Sequence, residues 1–210
     1  VRRVSDNIAH DLRTPLTRMR NHIEELRKQD KTDHYDSLLG EADHLLNTFN
    51  ALLRITRIET ERQRGHFNHV DLKKVLEDVS GFYAPLAEES GIKLDCDLGE
   101  ASIHGDCDLL FQAFANMLDN AVKFTSEGGR IQIALACSDD KAIITIADSG
   151  IGVGEAEAEK IFQRFYRAEE SRSLPGTGLG LSLVKAVIDL HKGQIRIEPN
   201  NPGLKIITIL

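Results

Sequence analysis

No run of apolar residues in this chain approaches the roughly 18 to 20 needed to cross a bilayer, and the opening VRRVSDNIAH lacks the apolar centre of a secretory signal. The 210 residues are therefore expected to form a soluble unit. Cysteine is scarce: Cys96, Cys107 and Cys137 stand singly, with no CxxC pair and no histidine at metal-ligand spacing. That argues against a thiolate metal site and leaves reduced, partly buried thiols of a cytosolic protein as the expectation. An excess of basic charge is also missing. Net charge is −7, and residues 67–210 hold 14 Lys/Arg against 22 Asp/Glu, whereas residues 1–66 are nearly balanced at 12 against 11. Without a basic stripe to neutralise phosphates, a nucleic-acid partner is disfavoured. There is no internal repeat, and no Met at position 1, so the expectation is a piece of a longer protein with any membrane segment upstream of Val1. With 41% hydrophobic and 28% charged residues, the chain has enough for one ordinary domain or two small ones.

Two long helices are predicted first. Val1, Val4, Ile8, Leu12, Leu16, Met19, Ile23 and Leu26 recur at spacings of three and four, one stripe of an amphipathic helix, with Pro15 predicting a local bend. After a polar break at Gln29–Asp33, Tyr35, Leu38, Ala42, Leu45, Phe49, Leu52 and Thr56 form a second stripe, and Leu39, Leu46 and Leu53 a second row beside it. So wide an apolar face exceeds what one partner helix covers. An antiparallel hairpin that pairs with its own copy as a four-helix dimer would bury it. The charged stretch ETERQRGHFN, 59–68, reads as a linker after a helix that ends near Gly65. Beyond it the expectation is helix at 71–90, strand at 92–98, helix from Asp106 to Lys123 with Asp106 as N-cap, and paired strands over 130–148. Helix returns at Leu179–His191, followed by strands QIRIEP and GLKIITIL. Helices and strands mix without strict βαβ alternation, so the second part is expected to be an α/β sandwich with helices on one face of a mixed sheet.

Four constellations carry possible chemistry. His10 lies about 200° around its helix from both Ile8 and Leu12, hence toward solvent, with Asp11 adjacent and Thr14 one turn on. An exposed imidazole is a nucleophile when a carboxylate fixes or relieves its second nitrogen, although a solvated helix carries the same pair. In FANMLDNAVKFT, Asn116, Asn120 and Lys123 share a face opposite Phe114, Met117, Leu118 and Ala121. Carboxamide oxygens suit a hydrated Mg²⁺ and the ammonium suits phosphate; a plain polar face is the alternative. In IADSGIGVG a strand ends on Asp148 and runs into Gly150, Gly152 and Gly154, which suits either a planar base with an exocyclic amine or an ordinary turn. In PGTGLGLSLVK, Gly176, Gly178 and Gly180 open a helix whose amides favour phosphate, in neither a P-loop nor a Rossmann pattern.

In their order, these segments resemble the bacterial two-component sensor histidine kinases over nearly the whole chain. SDNIAHDLRTPL is similar to that family's H box, FANMLDNAVKFT to its N box, DSGIGVG and GTGLGLSLVK to its two glycine boxes, and IFQRFYRA to its F box. The resemblance implies an α+β chain: a dimerisation and histidine-phosphotransfer hairpin at 1–66, then an ATP-binding domain of the Bergerat (GHKL) type at 67–210. By the same resemblance, His10 is the phosphorylated residue, Asp11 the general base, and Thr14 a residue used in dephosphorylating the response regulator. Asn120 would be the principal Mg²⁺ ligand with Asn116 nearby, while Lys123 and Phe124 line the nucleotide. Asp148 would take the adenine amine, Gly150, Gly152, Gly176, Gly178, Gly180 and Leu181 would surround ATP, and Arg164 would reach the γ-phosphate. Gln163 stands where the F box often has an acid, and Phe124 where tyrosine is also common.

The partners so implied are a second copy of the chain and the receiver domain of a separate response regulator, and the location is the cytoplasmic portion of an inner-membrane sensor. A mobile lid at about Gly152–Thr177 would cover Mg·ATP. A GHKL ATPase of the gyrase or chaperone kind would need no hairpin bearing His10 and would usually carry a Glu where Asn116 stands. A non-catalytic scaffold would be expected to have lost His10, Asn120, Asp148 or the glycines.

Overall fold

The computed structural model describes residues 17, 19–21, 23, 24, 26, 34–60, 67–154, 157–168 and 176–210. The backbone divides into two compact units, Val1–Thr60 and Glu61–Leu210.

In the first unit, the described residues between 17 and 26 are helical, and helix α1 spans His34–Thr60. Arg20 Nε donates to Asp43 Oδ1 at 2.6 Å and so ties the two helical segments across 23 positions of sequence. Both side chains are well exposed, which limits the pair to at most about 1 kcal/mol. Ala42, Ile55 and Ile58 are buried, whereas Leu38 and Leu45, both in the expected stripe, are exposed in the single chain. Ile55 and Ile58 were absent from the predicted rows. The loop at 29–33, Pro15 and the H-box residues lie outside the described residues.

The second unit opens with strand β1, Asn68–Asp71, where the sequence suggested the end of a linker. Its antiparallel partner is β3, Ser102–Gly105, pairing His69 with His104. Both strands have only four residues, too short for alternation to register. Asp71 caps helix α2, Leu72–Glu89, by accepting from Lys73 and Lys74 N–H. Asp106 caps helix α3, Cys107–Phe124, accepting from Leu109 N–H at 3.1 Å, as its position predicted.

The main sheet runs in the order β2-β4-β5-β7-β6, with β2 Lys93–Leu98, β4 Arg130–Ser138, β5 Lys141–Asp148, β6 Gln194–Pro199 and β7 Leu204–Ile209. The β2–β4 pair is parallel and the others are antiparallel, giving the mixed sheet expected. Ile131, Ile133 and Leu135 alternate inward on β4, as do Ala142, Ile144 and Ile146 on β5. Against that face pack α3 and helix α4, Gly180–Leu190. The inward stripe of α3, Leu110, Ala113, Phe114, Met117, Leu118 and Ala121, meets Leu183, Val184, Val187 and Ile188 of α4 in the core. Each such large side chain contributes about 1.5–3 kcal/mol on burial.

One histidine joins the two core helices. His191 Nε2 accepts from the N–H of Asp106 at 2.9 Å, its Nδ1 donates to Val187 O at 2.8 Å, and Phe67 stacks on the ring at 4.7 Å. These contacts hold the C-terminal end of α4 against the start of α3. The three cysteines are free and exposed, correcting the expectation that they are partly buried.

Candidate functional site

A cavity of about 330 Å³ opens where the C-terminal half of α3, the end of β5 and the start of α4 converge. Helical spacing brings Asn116, Asp119, Asn120, Lys123 and Phe124 to it, because i, i+4 and i+7 fall on one face. Asn116 Nδ2 donates to Gln112 O at 2.8 Å, which turns the carboxamide oxygen toward the start of α4. That oxygen would lie 3.1 Å from a Cβ on Gly180, so the absence of a side chain there lets helix and carboxamide approach. Lys123 Nζ sits 5.3 Å from the centre of the Phe124 ring. Burial, and then the neighbouring Arg167 charge, push the Lys123 ammonium below its ordinary range, while Asp119 opposes them. Burial pushes the Asp119 carboxyl up, against the pull of Lys123.

Asp148 ends β5 and is only 8% exposed. Its Oδ1 accepts from Gly150 N–H at 2.9 Å and from Leu204 N–H at 3.1 Å. Oδ2 has no donor among the described residues, and the residue lines the cavity. Burial raises the Asp148 pKa, and the two N–H bonds work in the opposite direction. The same cavity has an apolar wall of Met117, Ala121, Ile146, Ile151, Leu204 and Ile206. A buried acceptor in a cavity with such a wall suits a flat, mostly apolar group that carries one donor.

The cavity also has a polar part. Gly176, Thr177, Gly178, Gly180 and Leu181 line it, and α4 begins there with no side-chain cap. The first-turn amides of such a helix attract anions through their unpaired N–H groups and the helix dipole. Arg167 lines the cavity as well and donates from Nη1 to Gly176 O at 3.2 Å. Gly178 has φ +69, and a Cβ on it would lie 2.8 Å from the Phe165 carbonyl carbon and Tyr166 O. Tyr166, also in the lining, donates its hydroxyl to Glu157 Oε1 at 2.6 Å.

Of the residues singled out in the sequence, Asn116, Asn120, Lys123, Phe124, Asp148, Gly152, Gly176, Gly178, Gly180 and Leu181 meet in this one cavity. Gly150 and Arg164 are not in its lining. Gly150 supports the site from behind, since a Cβ there would collide with the Phe124 carbonyl. His10, Asp11 and Thr14 lie outside the described residues. Sequence reasoning missed Asp119, Tyr166, Arg167, Thr177 and the wall of Ile146, Leu204 and Ile206. Period-two spacing puts Ile146 on the same face as Asp148, and Leu204 on the same face as Ile206. Their meeting depends on the register that pairs Ile146 with Ile206.

The buried strand-end acid, the carboxamide face and the uncapped glycine-rich helix start are the features of one ATPase class, and the comparisons agree. Residues 105–210 match the model of the histidine kinase-, DNA gyrase B- and HSP90-like ATPases, and residues 1–61 match that of the His Kinase A (phospho-acceptor) domain. The chain belongs to the sensor histidine kinases, of which these two domains make up the catalytic core. It is 31% identical over 201 residues to the sensor protein IrlS of Burkholderia pseudomallei, covering 92% of this chain and 43% of that protein. It is 30% identical over 217 residues to the signal transduction histidine-protein kinase/phosphatase MprB of Mycobacterium leprae, covering 97% and 41%. Among solved structures, full-length ShkA in complex with AMPPNP is similar at a TM-score of 0.83 and 25% identity, over 99% of this chain and 45% of that one. The mycobacterial sensor histidine kinase MprB gives 0.61 at 31% identity, over 69% and 96%. The chain spans less than half the length of the curated relatives it matches. No helix among the described residues is long and apolar enough to cross a membrane.

Proposed function

We propose that this chain phosphorylates itself on His10 from ATP and passes the phosphoryl group to an aspartate of a separate response regulator. The observation that carries the reading is a single cavity lined together by Asp148, a set of apolar side chains, the start of α4, Asn116, Asn120 and Lys123. Adenine would lie against the apolar wall with its amine on Asp148, and the phosphates would run toward the first-turn amides of α4 and Lys123. Arg167 lines the cavity and is assigned to the phosphates, while Arg164, outside the lining, keeps the proposed role of reaching the γ-phosphate during transfer.

Mg²⁺ would be held by the carboxamide oxygens of Asn120 and Asn116 together with phosphate oxygens. The donors fit, being neutral oxygens suited to a hard cation, one of them already turned toward the glycines by Gln112. Among the described residues no group of three His, Cys, Asp or Glu could hold a metal by itself, so the ion is expected to arrive with the nucleotide. When bound, it neutralises charge on the phosphates.

In the transfer, a neutral ring nitrogen of His10 attacks the γ-phosphorus, the bond to the β-phosphate oxygen breaks, ADP leaves, and Asp11 takes the imidazole proton. Residues 1–66 act as the dimerising phosphotransfer hairpin and 67–210 as the catalytic domain. Exposed Leu38 and Leu45 supply apolar surface that a second copy would cover in a four-helix bundle. A phosphatase activity toward the regulator, using Thr14, is supported by the relatives named kinase/phosphatase. Asn116, where an ATPase of the gyrase or chaperone kind would carry a Glu, favours the kinase reading over that class. The chain would form the cytoplasmic portion of an inner-membrane sensor, attached through segments outside this sequence.

Incubation with labelled ATP and Mg²⁺ should produce an acid-labile, base-stable phosphate. His10→Gln should abolish it and leave ATP affinity within a few-fold. Full labelling of that variant would refute the assignment.

A further inference from the structure

Asp148 is held by a segment more than 50 positions away. The main-chain pairing of β5 with β7 ends at Ala147 opposite Lys205, so Leu204 N–H no longer meets a strand carbonyl. It donates instead to the Asp148 side chain, at 3.1 Å from Oδ1. The turn that precedes Leu204 then closes on the same residue from the other side. Asn200 Nδ2 donates to the Asp148 carbonyl at 2.6 Å, and Asn200 N–H closes the turn onto Gly203 O at 3.0 Å. Gly203 has φ +111, and any Cβ on it would overlap the Asp148 carbonyl oxygen. A Cβ on Gly152 would in turn come within 3.0 Å of Gly203 O, so the glycine-rich loop after β5 also rests on this turn.

These contacts fix two parts of one residue. Leu204 and Gly150 orient the carboxylate through Oδ1, and Asn200 anchors the carbonyl, which limits rotation of the backbone that carries the carboxylate. Oδ2, which accepts from no described residue, is thereby the oxygen of this cavity-lining residue left for a ligand, and its angle is set. Directional recognition of an amine depends on that angle, because a hydrogen bond weakens steeply as it bends.

We propose that Asn200 is a positioning residue for base recognition: it fixes the Asp148 carboxylate so that the pocket prefers a purine with a 6-amino group over one without. The proposal rests on the reading of the cavity as an ATP site. Asn200 touches no nucleotide in this scheme. It acts only through Asp148.

The test uses the full chain, with ATP and purine riboside triphosphate, which lacks the amine, as probes. The wild type should prefer ATP. Asn200→Ala should weaken ATP binding roughly fivefold, the worth of about one hydrogen bond, and leave the desamino nucleotide unchanged, so that the preference shrinks. Asn200→Leu, close in size but with no donor and no charge, should behave like the alanine variant and guards against a packing artefact. Thermal unfolding of both variants accompanies the titrations. Equal loss for both nucleotides would make Asn200 a structural residue of the pocket and overturn the proposal, as would no loss for either. Asp148→Ala is the control that separates the two levels of inference. If it abolishes the preference while Asn200→Ala does not, the positioning role alone fails. If Asp148→Ala also leaves the preference intact, the assignment of the base site fails and the positioning role falls with it.

Discussion

Replacing Asp148 by asparagine changes one polar atom of the cavity wall and almost nothing of its shape. The carboxamide oxygen can keep the place of Oδ1, accepting from Gly150 N–H and Leu204 N–H as the carboxylate does at 2.9 and 3.1 Å. The NH₂ group then takes the place of Oδ2 and offers a donor where the carboxylate offered an acceptor. An adenine amine in that position loses a hydrogen bond to a charged acceptor, worth about 1.5–3 kcal/mol, which corresponds to roughly 10- to 150-fold in Kd. A base with a carbonyl at position 6 gains an acceptor-to-donor match at the same point. Asp148→Asn should therefore weaken ATP by at least about tenfold and bind ITP more tightly than the wild type does, so that the order of preference moves toward ITP. Fold stability should hold, since the buried acceptor of the two N–H groups is retained. Competition of ATP and ITP against a fluorescent nucleotide, with Mg²⁺ present and a melting curve for each protein, measures both effects. Unchanged ATP affinity would refute the assignment of the amine to Oδ2. Equal loss of both nucleotides would mean that Asp148 serves only to hold the loop.

Glycine substitutions and pH provide two independent checks. Gly178→Ala places a Cβ 2.8 Å from backbone atoms of Phe165 and Tyr166 at φ +69, a left-handed conformation costing about 1–2 kcal/mol for a non-glycine residue. Gly176→Ala meets only the mobile end of Lys123 at 2.8 Å. Melting temperature and ATP affinity should thus fall clearly more for Gly178→Ala, and equal effects would contradict the packing described. His191 must be neutral to accept at Nε2 from Asp106 N–H, and burial holds its pKa below the ordinary 6.5, with the Val187 carbonyl and the Asp106 charge opposing. Its folded pKa being depressed, the stability it contributes is complete above pH 6.5 and is lost as pH falls below 6.5 through the folded value. Melting measured between about pH 5 and 7.5 should decline on the acid side, and less steeply in His191→Gln. An equal slope in the two proteins would remove His191 from that role.

Local physics made much of this protein legible in one dimension. The stripe from Leu110 to Ala121 follows the 3.6-residue period, Asp106 caps α3 through a side chain two positions before the helix's second residue, and Ile131, Ile133 and Leu135 follow the two-residue period of a half-buried strand. Asn116, Asn120 and Lys123 could be assigned to one face for the same reason, and Asp148 to a strand end. The sequence by itself thus determined the elements and the polar residues that a single helix or strand end presents together.

The tertiary structure decided everything that joins distant segments. Ile146 and Ile206 share a wall only because β5 and β7 pair in one register. Arg167 lines the cavity from a stretch without helical or strand period, where Phe165 takes φ +65 and turns the chain, so spacing offers no rule for which of its side chains reach the cavity. The strands Asn68–Asp71 and Ser102–Gly105 were missed because four residues hold too little pattern, and their pairing spans more than thirty positions. Asn200 reaches Asp148 across 52 positions, through a turn whose composition announces only a turn. Hydrophobic period is a property of neighbours along the chain, whereas a binding site depends on distances across it, and those are set when the sheet acquires its order and register.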